Sequence, residues 1–215
     1  MTTVGRISLI CPCCGTEFDG RTIYSTNTFG GKTTDFHGRA VGAEPLHYII
    51  STCTSCGFTD YSGTWPDKAD LKPETLERVN KEIKPLAGGE GLDGSLRYRF
   101  LALIAESEGR GEVAVADAYL KAAWLATEES GHTDIEMQCR RLAIEHFEKG
   151  LLDMERTDER YLTLTYLVGE LYRRIGERDR ANEWFDKVIR IAQPSDPDWV
   201  TEIARQQRTD PKEFF

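Results

Sequence analysis

Five of the six cysteines sit in two short stretches, "ICPCCGTEF" at residues 10–18 and "STCTSCGF" at residues 51–58. Each contains Cys-x-x-Cys-Gly: Cys11, Cys14 and Gly15 in the first, Cys53, Cys56 and Gly57 in the second. Two thiolates three positions apart on a tight turn both reach one ion at about 2.3 Å. The trailing glycine allows the positive φ that such a turn needs. Two pairs supply four sulfurs, so the spacing predicts one structural zinc on Cys11, Cys14, Cys53 and Cys56. The competing reading is two unrelated pairs of buried or disulfide-bonded cysteines, and nothing in the sequence suggests the oxidising compartment that disulfides need. Cys13 is then the odd thiol. The interior position of such a turn is expected to point away from the metal, which leaves Cys13 outside the ligand set. The alternative is a redox or ligand-exchanging thiol activated by the neighbouring cation.

Other reactive residue types carry less. "FGGKTT" ends like a phosphate loop, but the first glycine of that pattern falls on Thr26, with no strand before it and no helix after it. His37 and His47 lie between the cysteine pairs and could replace a sulfur ligand; with four sulfurs in place they read as loop or surface histidines. Cys139 falls on the stripe Ile135, Cys139, Leu142, Ala143, Phe147, Gly150, Met154, the spacing of a buried helix face. His132 and His146 have no partner at a telling spacing, and "LLDMERTDER" reads as a solvated helix end. No acid–base pair or nucleophile constellation stands out, so no catalysis is expected.

The 215 residues carry 27 Lys+Arg against 36 Asp+Glu, a net charge of −9. Residues 1–70 hold five Lys/Arg and seven Asp/Glu, and four thiolates on one zinc add negative charge there. Nucleic-acid binding depends on neutralising phosphates, so this balance weighs against a nucleic-acid zinc ribbon. No secretory signal and no apolar run of membrane-spanning length is visible, which points to a soluble cytoplasmic protein with reduced thiols.

The elements that must position the cysteines are short. "GRISLI", "RTIYST" and "LHYIIST" read as strands, with "TNTFGGKTTDFHGRAVGAEP" as an inserted loop. "KPETLERVNKEIKPL", residues 72–86, reads as a polar helix bounded by Pro73 and Pro85, and "AGGEGLDG", residues 87–94, as a linker. Six helical segments follow. The fold class expected is α+β: a zinc-ribbon-like β domain over 1–70, a short helix and linker over 71–94, and an all-α helical-hairpin domain over 95–215.

The last part carries a tetratricopeptide-like repeat. In "YLVGELYRRIGERDRANEWFDKVIRIAQP", Gly169 and Ala181 are the small residues of the two helices, Tyr172 and Phe185 the bulky ones, Gly176 opens the turn and Pro194 closes the unit. A weaker copy runs through Ala122, Ala123, Ala143, Phe147 and Gly150. With Tyr172 turned inward, Tyr166, Glu170, Arg173 and Arg174 are expected to line a concave partner-binding groove.

These residues resemble an uncharacterised prokaryotic family with two CPxCG units, a middle "DF…NPLxY" stretch and a tetratricopeptide-like tail. "CPCCGTEF", "TTDFHGRAVGAEPLHYIISTCTSCGF" and "LTYLVGELYRRIGERDRANEWFDKVI" match those blocks in order. Glu44 stands where the family tends to have Asn, and Thr54 where it tends to have Pro; neither replaces one of the four cysteines. The resemblance implies a zinc-ribbon-like domain with helical repeats and brings no activity. The expected function is a zinc-binding adaptor for a protein or peptide partner, without a membrane or nucleic-acid role. The alternatives are a nucleic-acid-associated ribbon and a thiol-redox or metal-handling enzyme working through Cys13.

Overall fold

The computed structural model describes residues 2–67, 70–87, 91–128 and 133–215. It is an α+β chain, with two small sheets followed by a stack of helices. β1 (Thr3–Ile10) and β2 (Glu17–Ser25) form an antiparallel hairpin from Ile10↔Glu17 to Thr3↔Ser25. β3 (Ile50–Thr52) and β4 (Thr59–Tyr61) form a second, shorter one. The stretch expected as one strand, "LHYIIST", is split. Its first four residues make the helical turn α1 (Leu46–Ile49), because Pro45 holds helical φ and the Glu44 side chain accepts the Leu46 N–H. Only Ile50 onward is extended.

The polar helix is α2 (Pro73–Arg78), which runs into a π-helical turn over Val79–Ile83. It buries Thr75, Val79 and Ile83. Residues 88–90 of the expected linker lie outside the described residues. The six long helices are α3 (Gly94–Ser107), α4 (Glu112–Glu128), α5 (Thr133–Asp153), α6 (Tyr161–Arg174), α7 (Arg178–Ile191) and α8 (Asp198–Thr209). Each packs on the next in the chain. Among the described residues, no helix is long and apolar enough to cross a membrane.

Local chemistry sets these helices. Asp93 caps α3 by accepting the Leu96 N–H. α6 ends in a Schellman turn: Glu177 N–H donates to the Tyr172 carbonyl, Gly176 N–H to Arg173, and Gly176 sits at φ +82. Gly169 lets α6 and α7 close up, since a Cβ there would stand 2.9 Å from the Phe185 ring.

Two apolar clusters result. The larger includes Tyr98, Leu101, Leu120, Leu125, Phe147, Tyr166 and Phe185, and takes in Leu46 and Ile50 from the N-terminal part. The smaller holds Cys11, Cys53, Cys56, Phe58, Val79, Ile83, Phe100 and Ile104. α3 therefore serves both. Arg97 ties it to the His47 and Ile50 carbonyls, and Tyr98 to that of Leu46. Packing crosses the boundary expected at 87–94.

The expected groove on α6 is filled by the chain itself, which corrects its reading as an open surface. Tyr166 and Glu170 are buried, and Arg173 and Arg174 are nearly so. Tyr166 donates to the Thr34 carbonyl, the Thr34 hydroxyl donates to Glu170, and both arginines pair with Glu170 and Glu213. The insert and the C-terminal residues lie together there, with Thr34 N–H donating to Glu213 and Phe215 N–H to Lys32. Phe36, at φ 73, packs its ring against Tyr166, Trp199 and Phe215. A loop without periodicity gives no sign in the sequence that it covers a helix 130 residues away.

Candidate metal centre

Each cysteine pair is the turn of a hairpin, and the two turns share one hydrogen-bond pattern. Gly15 N–H donates to the Cys11 carbonyl and Gly57 N–H to that of Cys53, both at 2.9 Å. Cys11 N–H donates to Thr16 and Cys53 N–H to Phe58. Gly15 and Gly57 stand at φ +75 and +77, a region that side chains disfavour. At Gly57 space is closed as well: a Cβ would lie 2.6 Å from Ala87 Cβ and 2.7 Å from Ile83 Cγ2.

The turns bring Cys11, Cys14, Cys53 and Cys56 within 4.8 Å of one another. Cys11 Sγ is 3.5 Å from Cys56 Sγ, and Cys14 Sγ is 3.6 Å from Cys53 Sγ. A tetrahedral ion bound by thiolates at about 2.3 Å sets its sulfurs about 3.8 Å apart, whereas a disulfide needs about 2.05 Å. The thiols are free and the donor set fits a metal ion. Cys11, Cys53 and Cys56 are buried and Cys14 is exposed, so the cluster sits at the surface with one edge in water. Phe18, Phe58 and Trp65 pack edge to face beside it, and the Trp65 indole donates to the Ile10 carbonyl.

The four sulfurs are strongly linked electrostatically. The neighbouring Cys13, Cys53 and Cys56 thiols pull the Cys11 pKa down. The same contact with Cys11 pushes Cys53 up to about 11 and drives Cys56 well above the thiol range. Four thiolates at this spacing are stable only around a positive ion. Cys13 lies outside the set of four, as expected, and packs half-buried beside it; its neighbour Cys11 raises its thiol to about 12.

The family model described as "Uncharacterized protein conserved in bacteria (DUF2225)" matches residues 6–210. The chain belongs to the DUF2225 family. No curated protein and no solved structure matches it.

Elsewhere in this DUF2225 chain, Cys139 is buried and desolvation pushes its thiol up to about 11, as befits a core cysteine. "FGGKTT" is a packing segment: Thr33 and Thr34 are buried, and the Thr34 hydroxyl donates to Glu170 on α6. His47 ends α1. His37 is neither loop-exposed nor at the cysteines; it is buried and stacked on Trp124. His146 has a partner invisible at sequence spacing, with Nδ1 2.6 Å from Glu112 Oε2. His132 lies outside the described residues. Sequence reading also missed Asp35, which is buried and bound by Arg140, Arg174 and the Trp124 indole. Its partners are about 90 to 140 residues away in sequence, so no local pattern announces them.

Proposed function

We propose that the chain is a cytoplasmic, non-enzymatic adaptor. Structural zinc on Cys11, Cys14, Cys53 and Cys56 locks its N-terminal hairpins, and its tetratricopeptide-like helices receive a protein or peptide partner. The observation that carries this reading is the closed donor set: four sulfurs converge with no coordination position left for a reacting group, the mark of structural zinc. Free thiols suit a reducing compartment.

The repeat supplies the partner surface. The close approach of Gly169 to Phe185, the positive φ of Gly176 and the burial of Tyr172 and Ala181 support that reading. Arg173 and Arg174, paired with Glu213, form that face, and Tyr166 and Glu170 lie beneath the insert under it. A partner takes the place of the C-terminal residues there. The chemistry of "KEFF" indicates what fits, namely an acidic residue for the two arginines followed by aromatics.

The test is affinity enrichment from the native cell with three full-length-based baits. These are the chain lacking residues 212–215, the same deletion with Arg173→Ala and Arg174→Ala, and wild type. The deletion is expected to enrich a partner at least about tenfold over the arginine variant, the loss of two charge-assisted contacts. Equal capture by both baits excludes this face as the partner site.

A further inference from the structure

A second group of metal-ligating side chains lies apart from the cysteines. One nitrogen of His37 and one carboxylate oxygen each of Glu44 and Glu128 stand within 4.8 Å of one another. His37 is only 3% exposed, yet its Nε2 has no hydrogen-bond partner among the described residues. Buried polar atoms are almost always partnered, so an orphaned ring nitrogen facing a carboxylate asks for an occupant.

The ring is held in place for one. It stacks on Trp124 at 4.7 Å and 5°, and the Trp124 indole is itself fixed by Asp35. The His37 N–H donates to Thr33 Oγ1, and its carbonyl accepts the Thr33 N–H. Glu44 is oriented too. Its Oε1 accepts the Leu46 N–H, which leaves Oε2 at 3.7 Å from His37 Nε2. Glu128 Oε1 is 4.0 Å from His37 Nδ1, and Glu128 is exposed at the end of α4, so the group opens to solvent on that side.

We infer that His37, Glu44 and Glu128 form a second divalent-cation site. One imidazole and two carboxylates suit a first-row ion such as zinc, manganese or cobalt, with the remaining positions left to water. Ligand atoms around an ion at about 2.1 Å stand about 3.4 Å apart, so binding draws the three side chains in by roughly an ångström. Arg39 is the competing cation, with Nε 3.7 Å from Glu128 Oε1 and that nitrogen without a hydrogen bond among the described residues. Its guanidinium already rests 5.5 Å over the Phe214 ring, where it stays when an ion takes the carboxylate. Two ligands come from the insert and one from α4, so an ion here pins the insert to the helices. The site stands or falls independently of the adaptor reading.

The experiment is a Co²⁺ titration of the full chain after loading the cysteine cluster with one equivalent of zinc. One equivalent of Co²⁺ is expected to bind, with weak visible absorption and no sulfur-to-cobalt charge transfer. In Glu128→Gln, a change at an exposed position that leaves the fold intact, and in His37→Gln, binding weakens by at least about tenfold, while the zinc content of the cysteine cluster stays at one. The inference is overturned if wild type binds no Co²⁺ beyond displacing zinc, or if Glu128→Gln binds it undiminished. If His37→Gln fails to fold, Glu128→Gln alone decides.

Discussion

At the residue scale, the two glycines that end the cysteine turns differ in one respect that mutation can read. Gly15 needs only its positive φ, since a Cβ would meet nothing within 4 Å, whereas Gly57 also faces Ala87 and Ile83. Forcing a side chain into the left-handed region costs about 1–2 kcal/mol, and overpacking a closed contact adds about 1–3 kcal/mol. Gly15→Ala is therefore expected to lower stability by about 1 kcal/mol and Gly57→Ala by about 3 kcal/mol, read from urea unfolding of the metal-loaded chain. Equal losses would mean that the second turn is not seated against Ile83 and Ala87 as described.

At the element scale, the helices were legible because apolar periodicity and Gly, Asp and Pro punctuation agree along residues 95–215. The six expected segments match α3 to α8 within two or three residues at each end. The four clustered cysteines were legible because their spacing is itself the geometry of a tetrahedral site. "LHYI" was misread as strand because one side chain, Glu44, caps the turn. The insert was missed as a packing element because its anchors are long-range. Asp35 is the chief one. Burial alone would raise its carboxyl, but Arg140 and Arg174, with the Thr33 hydroxyl, bring it down to about 2. Removing one member of a buried ion pair strands the other, so Asp35→Asn is expected to cost about 3 kcal/mol at neutral pH. The folded pKa lies below the unfolded value of about 3.9, so this stabilisation is full above pH ~4 and is lost as pH falls toward 2. Urea unfolding from pH 5 to pH 2 should show the gap between wild type and Asp35→Asn narrowing across that window. A gap that widens toward pH 2 would contradict the assignment.

At the scale of the whole molecule, the cysteine cluster, the π-helical turn after α2 and one face of α3 share a core, and the insert and C-terminal residues close over α6. A fragment of residues 95–215 exposes Phe100, Ile104, Tyr98 and Tyr166, all buried in the full chain. It is expected to be aggregation-prone or several kcal/mol less stable than the full chain, given about 1.5–3 kcal/mol for each large side chain exposed. A soluble fragment unfolding at the same urea midpoint would show that the helices stand alone. The central claim is that four sulfurs from two hairpin turns hold one zinc ion and so fix this arrangement. X-ray absorption at the zinc edge, on the full chain reconstituted with one equivalent of zinc, tests it most directly. The account predicts four sulfur neighbours at about 2.3 Å, falling to three in Cys53→Ser. A first shell dominated by nitrogen or oxygen in the wild-type chain would contradict it.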